Sequence, residues 1–124
     1  MTTWLILALL FIKHFLVDFV WQTEKMVIEK GQYGKWGGIH HSGLQGICTY
    51  VILMHFINTQ ACIILAVVDF FIHYHVDWAK MNITRNLTIK DKMYWFWLGF
   101  DQLIHALTYI AIGIAVSFLL TDYI

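Results

Sequence analysis

Long apolar stretches alternate with short polar ones along this chain. Each apolar stretch has close to the ~20 residues that a helix needs to cross the hydrocarbon core of a bilayer. The connections between them are short, which forces neighbouring helices to run antiparallel. We therefore predict an all-α fold, an integral membrane antiparallel four-helix bundle forming a single transmembrane domain over residues 1–124. The predicted spans are residues 3–22, 37–57, 61–79 and 95–120.

The composition supports a membrane location. Hydrophobic residues make up 60% of the chain and charged residues only 13%, whereas soluble domains carry about 25% charged residues. Most of the outer surface must therefore face lipid, so the lipid bilayer is the expected partner. The net charge of zero predicts no nucleic-acid binding. Cys48 and Cys62 lie inside apolar stretches, which indicates packing residues rather than a thiolate metal motif.

The distribution of charge predicts the orientation. Seven of the eight Lys and Arg residues lie in or beside two connections, loops 23–36 and 80–94. By the positive-inside rule these loops are cytoplasmic and both termini lie on the opposite side of the membrane. Tryptophan prefers the membrane–water boundary, and five of the six tryptophans fall at the predicted cytoplasmic ends of the spans.

Histidine and aspartate occur in pairs inside the predicted spans. A central Asp or Lys costs about 2.5 to 3.5 kcal/mol on insertion scales, so each needs a structural or functional reason. Members of a pair stand four residues apart, which places both on one face of a helix. The pairs are His14 with Asp18, His73 with Asp77, and Asp101 with His105, and His41 with Gln45 repeats the spacing.

These groups also share a depth. Counted from the cytoplasmic ends of the spans at 1.5 Å per residue, they fall within one slab roughly 10 Å thick. If each span turns its polar face inward, the groups meet on the axis of the bundle. We predict one metal site there, with Asp77 and Asp101 as candidate catalytic groups. The candidate ligands are His14, Asp18, His41, His73, Asp77, Asp101 and His105.

Imidazole and carboxylate without thiolate suit a divalent ion, and Zn is the expected cofactor, with Mn, Fe or Ni as alternatives. Seven donors exceed the four of a structural zinc, so one or two ions are expected. The alternative interpretation is that each pair is a hydrogen bond that helps the helices to associate.

Other ionisable groups lie outside this set. His55 and His75 are expected to be interfacial or packing residues, and His40 is an alternative to His41 as ligand. Lys13 lies too deep to reach the interface easily, and Asp69 lies at a similar depth. We therefore hypothesise a buried Lys13–Asp69 salt bridge.

The ordered motifs resemble a family catalogued as domain of unknown function 3307, over nearly the whole chain. The residues that carry the resemblance are His14-Phe-Leu-Val-Asp18-Phe-Val-Trp-Gln22, His41, His73-Tyr-His-Val-Asp77-Trp-Ala-Lys80 and Asp101-Gln102-Leu-Ile-His105. The resemblance implies a small membrane protein of bacteria or their phages. With the orientation predicted from the charges, we expect it in the bacterial inner membrane with both termini periplasmic. It implies no activity. Gln45 stands where this family often has a second histidine, which leaves the ligand count on the second span open.

The leading functional hypothesis is a metal-dependent hydrolase acting on a lipid or lipid-linked ester or phosphoester at the cytoplasmic leaflet. A His/Asp site can activate water and keep a carboxylate as base. Gln22, Lys80 and Gln102 are the predicted substrate-binding residues. The alternatives are metal or proton binding and transport, a haem-binding bundle, and a phage accessory protein that acts on a host partner with a structural metal. An oligomer is compatible with each of these.

Overall fold

The computed structural model describes residues 1–121 of the chain, which form helices and contain no strand. The predicted all-α class is confirmed. The elements are α1 (Thr2–Phe15), a π-helical turn (Leu16–Val20) that continues α1 directly, α2 (Glu24–Glu29), α3 (Trp36–Leu53), α4 (Thr59–Ile83) and α5 (Lys92–Thr121).

Local capping explains where two of these helices begin. The Asn58 side chain accepts a hydrogen bond from the Ala61 backbone N–H at 3.0 Å, which caps α4. Thr23 caps α2 in the same way, by accepting from the Met26 N–H at 3.3 Å. Helix α2 lies inside the stretch that the sequence predicts only as a charged loop.

Three helices are long and apolar enough to cross a membrane: Thr2–Val20, Thr59–Ile83 and Lys92–Thr121. Helix α3 is not among them, although the sequence predicts a span there. It ends at Leu53 rather than at residue 57. Its polar residues, including His41 and Gln45, also lower its hydropathy.

The contacts among the four long helices form a ring. Helix α1 packs against α3 and α5, and α4 packs against the same two helices. Gly46 permits the close approach of α3 to α4, since a Cβ atom there would lie 2.9 Å from the Ala66 carbonyl oxygen. Helix α2 packs against α3.

The interior between these helices has two halves. Around the start of α1 and the end of α5 it is an apolar cluster that includes Ile6, Leu10, Leu53 and Val116. At the other end, where α1 finishes and α3 begins, the interior is filled by histidines, carboxylates and lysines. The site described next occupies that polar half.

Candidate metal centre

Residues four apart on each helix direct their side chains into the polar half. Helix α4 contributes Asp69, His73 and Asp77, each at most 2% exposed. Helix α5 contributes Asp101 and His105, which are also buried and four residues apart. This spacing keeps successive side chains on one helical face.

Asp18 reaches the site from the π-helical turn. The Trp21 N–H donates to the Leu16 carbonyl at 2.8 Å, five residues back, which widens the helix at this point. The predicted regular helix through residue 22 is therefore interrupted. Single π turns inside helices are frequent at functional sites.

The structure brings all seven predicted ligands into one buried cluster. The most exposed of them, His14, is 8% exposed. Asp18 Oδ1 lies 3.0 Å from His41 Nε2 and 3.3 Å from His73 Nε2. The two imidazoles themselves approach to 3.1 Å between their Nε2 atoms.

The cluster continues through Asp77 to α5. His105 Nε2 lies 3.2 Å from Asp77 Oδ1 and 3.3 Å from Asp101 Oδ1. Asp77 Oδ2 lies 3.4 Å from the Nε2 atoms of both His41 and His73. His14 joins at the edge, with its Nε2 atom 3.6 Å from Asp18 Oδ2.

Four members of the cluster could hold a metal ion together. Asp18, His73, Asp77 and His105 each offer one ligand atom, and these atoms all lie within 4.8 Å of one another. A shell of ligands about 2.1 Å from a zinc ion admits donor atoms up to roughly 4.2 Å apart. Only a small contraction of the side chains would be required.

One carboxylate oxygen in the cluster is well suited to accept an ion. Asp77 Oδ2 and Asp101 Oδ1 are buried and accept no hydrogen bond from residues 1–121. Asp77 Oδ2 does form an ion pair with a lysine, described below, but without hydrogen-bond geometry. Buried carboxylate oxygens without a hydrogen-bond donor are uncommon, so Asp101 Oδ1, which faces the His105 imidazole rather than an ammonium group, fits a cation.

Lys30, the C-cap residue of α2, enters the cluster, although the sequence predicts it only as one of the charges of loop 23–36. Its Nζ atom lies 2.9 Å from Asp77 Oδ2, and the residue is only 6% exposed. The sequence carries only a weak signal for this: Lys30 follows Met26 by four residues, the spacing of one helical face. In the structure both residues are buried. The short helix therefore covers the polar end of the interior.

The predicted Lys13–Asp69 salt bridge is confirmed, with 2.7 Å between Nζ and Oδ2. Lys13 Nζ also donates to Gln45 Oε1 at 2.6 Å, and the Thr49 hydroxyl donates to Asp69 Oδ2 at 2.6 Å. Tyr109, Gln45 and Thr49 were not predicted as parts of the site. Their spacing was an available signal, since each continues a stripe of residues four apart on α5 or α3.

The predicted substrate-binding residues have unequal positions. Gln102 lies within the cluster, where its Oε1 atom is 2.9 Å from His14 Nε2 and its Nε2 atom donates to Asp101 Oδ2 at 3.1 Å. Lys80 Nζ lies 4.0 Å from Asp101 Oδ2 at the edge of the cluster. Gln22 is half-buried, and its Oε1 atom has no hydrogen-bond partner within residues 1–121.

The other histidines stay outside the cluster. His40 is exposed while the adjacent His41 is fully buried, so the structure favours His41 over the alternative considered from the sequence. His55 is exposed. His75 is also exposed, and its ring contacts the Phe71 carbonyl at 2.7 Å and the Tyr33 hydroxyl at 3.0 Å.

Comparisons with known proteins address the family alone. Neither the curated proteins nor the solved structures include a match to this chain. A family profile described as "Protein of unknown function (DUF3307)" matches residues 6–123. This range contains every residue of the cluster and confirms the resemblance drawn from the motifs. The chain therefore belongs to the DUF3307 family.

Proposed function

We propose that this protein is a membrane-embedded four-helix bundle that binds a divalent metal ion. The observation that carries the proposal is the group of four buried ligand atoms from Asp18, His73, Asp77 and His105, all within 4.8 Å of one another. Buried carboxylates and imidazoles at this density are costly unless they are paired or coordinate a cation.

Membrane insertion is supported by the outer surface. Besides the three apolar helices, many large hydrophobic side chains face outward, such as Phe15 at 56% exposure and Ile64 at 55%. Large contiguous apolar surface is rare on soluble monomers. In this proposal α3 is the fourth span, with His41, Gln45 and Thr49 facing the interior. It packs against two of the apolar helices, α1 and α4.

The donor set favours zinc. Imidazole nitrogen and carboxylate oxygen suit Zn, Mn, Fe or Ni, and four such donors match the usual coordination number of zinc. His41 and Asp101 remain beside the four donors, and would orient them or help to hold a second ion.

The proposed activity is hydrolysis of a lipid or lipid-linked ester or phosphoester. A bound divalent ion supplies a water molecule that ionises near neutral pH. Asp101 is the candidate general base, because its Oδ1 atom accepts no hydrogen bond from the described residues. Asp77 is held between Lys30 and His105 and is a candidate ligand.

A groove between α4 and α5 supports a lipid substrate. Its cavity volume is about 130 Å³, well above the roughly 10–15 Å³ that a cavity needs to hold one water molecule. Apolar side chains line most of it, and Lys80 and Asp101 are also among its lining residues. We propose that a segment of an acyl chain lies here with its anionic head group on Lys80, beside the cluster.

The apolar cluster argues against transport through the bundle. Beyond Lys13 and Asp69, the interior is closed by fully buried side chains including Ile6, Leu10 and Leu53. The described residues therefore provide a polar path from one end only, which suits a site that opens at one face.

The test of the metal site is elemental analysis of protein purified in detergent. We expect one to two equivalents of a divalent metal, lost in His73→Ala and kept in His75→Ala. His75 lies two residues away on the same helix but is exposed, so it is a matched control. Absence of metal from the wild-type protein after loading with Zn²⁺ or Mn²⁺ would refute the site.

The hydrolytic activity needs a separate test. Metal-loaded protein is incubated with a bacterial lipid extract, and the products are followed by mass spectrometry. We expect a lipid ester or phosphoester to be cleaved by the wild-type protein and at least a hundredfold more slowly by Asp101→Asn. Metal binding without any turnover would leave a binding protein and would refute the hydrolase.

A further inference from the structure

Lys13 is a cation buried beside the metal centre, and its contacts are all with acceptor atoms. Its Nζ atom approaches Asp69 Oδ2 at 2.7 Å, Gln45 Oε1 at 2.6 Å and the Gln45 carbonyl oxygen at 3.2 Å. The hydroxyl oxygen of Tyr109 is a fourth contact at 3.4 Å. An ammonium group has three N–H donors and no lone pair. None of these partners can donate to it.

The first consequence concerns Gln45. Because its Oε1 atom accepts from Lys13, its Nε2 amide is the end that faces the cluster. That amide donates to Asp18 Oδ1 at 2.6 Å and points to His14 Nδ1 at 3.5 Å. The orientation of the Gln45 amide is therefore set by Lys13.

The second consequence concerns Tyr109. Its hydroxyl cannot donate to the ammonium, and its remaining contact is His14 Nδ1 at 2.8 Å. The hydroxyl hydrogen therefore goes to Nδ1, which also faces the Gln45 amide. Two donors at one nitrogen require that Nδ1 carries no hydrogen and acts as the acceptor.

The third consequence concerns His14 itself. A neutral imidazole with an acceptor at Nδ1 carries its hydrogen at Nε2. The Nε2–H group donates to Gln102 Oε1 at 2.9 Å. The Gln102 amide is then free to donate to Asp101 Oδ2 at 3.1 Å. Both ring nitrogens of His14 are occupied by protein.

We infer that Lys13 directs two hydrogen-bond chains into the centre, one through Gln45 to Asp18 and one through Tyr109, His14 and Gln102 to Asp101. His14 is a positioning residue in the second chain rather than a metal ligand. The chains engage Asp101 through Oδ2 rather than Oδ1 and bring Asp18 Oδ1 against His41 and His73. The statement about ligands rests on the metal centre proposed above, whereas the hydrogen-bond directions do not.

The test is nitrogen-15 NMR of histidine-labelled protein in detergent micelles, with the His14 signals assigned by their loss in His14→Gln. In the presence of a chelator, we expect His14 to be the Nε2–H tautomer. Addition of Zn²⁺ should move the signals of His73 and His105 and leave the His14 Nε2–H group in place. A hydrogen on His14 Nδ1, or loss of the Nε2 hydrogen on addition of Zn²⁺, would overturn the inference.

Two variants test whether Tyr109 and Lys13 set the tautomer of His14. Tyr109→Phe keeps the ring and removes the hydroxyl link, and we expect His14 to lose its preference for one tautomer. The double variant Lys13→Met with Asp69→Leu should do the same, while Lys25→Met, on the exposed surface of α2, should leave the spectrum unchanged. An unchanged tautomer in Tyr109→Phe would refute the chain. If Zn²⁺ does not bind at all, the proposed function fails, while the spectra with chelator still test the hydrogen-bond directions.

Discussion

Removing either member of the Lys13–Asp69 pair should destabilise the protein far more than removing an exposed lysine. Lys13 is 5% exposed and Asp69 is 1% exposed, so neither charge can be solvated by water when its partner is lost. Loss of one partner from a buried pair costs about 3 to 5 kcal/mol. At 1.4 kcal/mol for each factor of ten, the equilibrium constant for unfolding would rise by roughly a hundredfold to several thousandfold.

The double variant should cost much less than the sum of the two single variants. Lys13→Met with Asp69→Leu removes both charges and leaves neutral groups, mainly Gln45 and Thr49, with unmet hydrogen bonds at about 1 to 3 kcal/mol each. We therefore expect a cost close to that of one single variant, and a coupling energy of at least about 2 kcal/mol.

The assay is unfolding in mixed detergent micelles with increasing sodium dodecyl sulfate, followed by circular dichroism. Lys25→Met serves as the control, since Lys25 is exposed on α2, and should change the free energy of unfolding by less than about 0.5 kcal/mol. Single-variant costs that add to within about 0.5 kcal/mol in the double variant would show two independent sites and would refute the reasoning.

Two further predictions concern the contact between α3 and α4 and the lysine in the centre. Gly46→Ala should cost about 1 to 3 kcal/mol of stability, because its Cβ would lie 2.9 Å from the Ala66 carbonyl oxygen. The control in the same unfolding assay is Gly43→Ala, whose Cβ would meet no atom within 4 Å. Equal effects of the two substitutions would contradict the close contact. Lys30→Met should tighten Zn²⁺ binding at least tenfold, because an ammonium group 2.9 Å from Asp77 Oδ2 repels a dication. The dissociation constant is measured by calorimetry. Weaker binding in the variant would show that Lys30 stabilises the bound ion and would contradict this prediction.

Local pattern was sufficient to predict the four long helices and the faces that bear the site, but not the short helix α2. Residues four apart share a helical face whatever the surroundings, so His73 with Asp77 and Asp101 with His105 could be paired from the sequence. Similar depth along antiparallel helices then predicted that the pairs would meet. The motifs also indicated the family.

Packing between helices decided what local pattern could not. The choice between His40 and His41 depends on the rotation of α3 about its own axis, which is set partly by the approach of Gly46 to Ala66. The entry of Lys30 depends on the path of a short helix, since α2 folds back over the polar end of the interior.

The full set of residues in the site could likewise be identified only from the tertiary structure. Gln45 on α3 and Gln102 and Tyr109 on α5 join one hydrogen-bond network through His14, and spacing along either helix does not reveal these contacts between helices. Whether His14 binds an ion or a neighbouring side chain depends on where those groups direct their hydrogens. The sequence by itself determined which helical faces are polar, because that follows from 3.6 residues per turn. Only the tertiary structure decided which atoms on those faces meet, because side-chain contacts between helices depend on their rotation and separation.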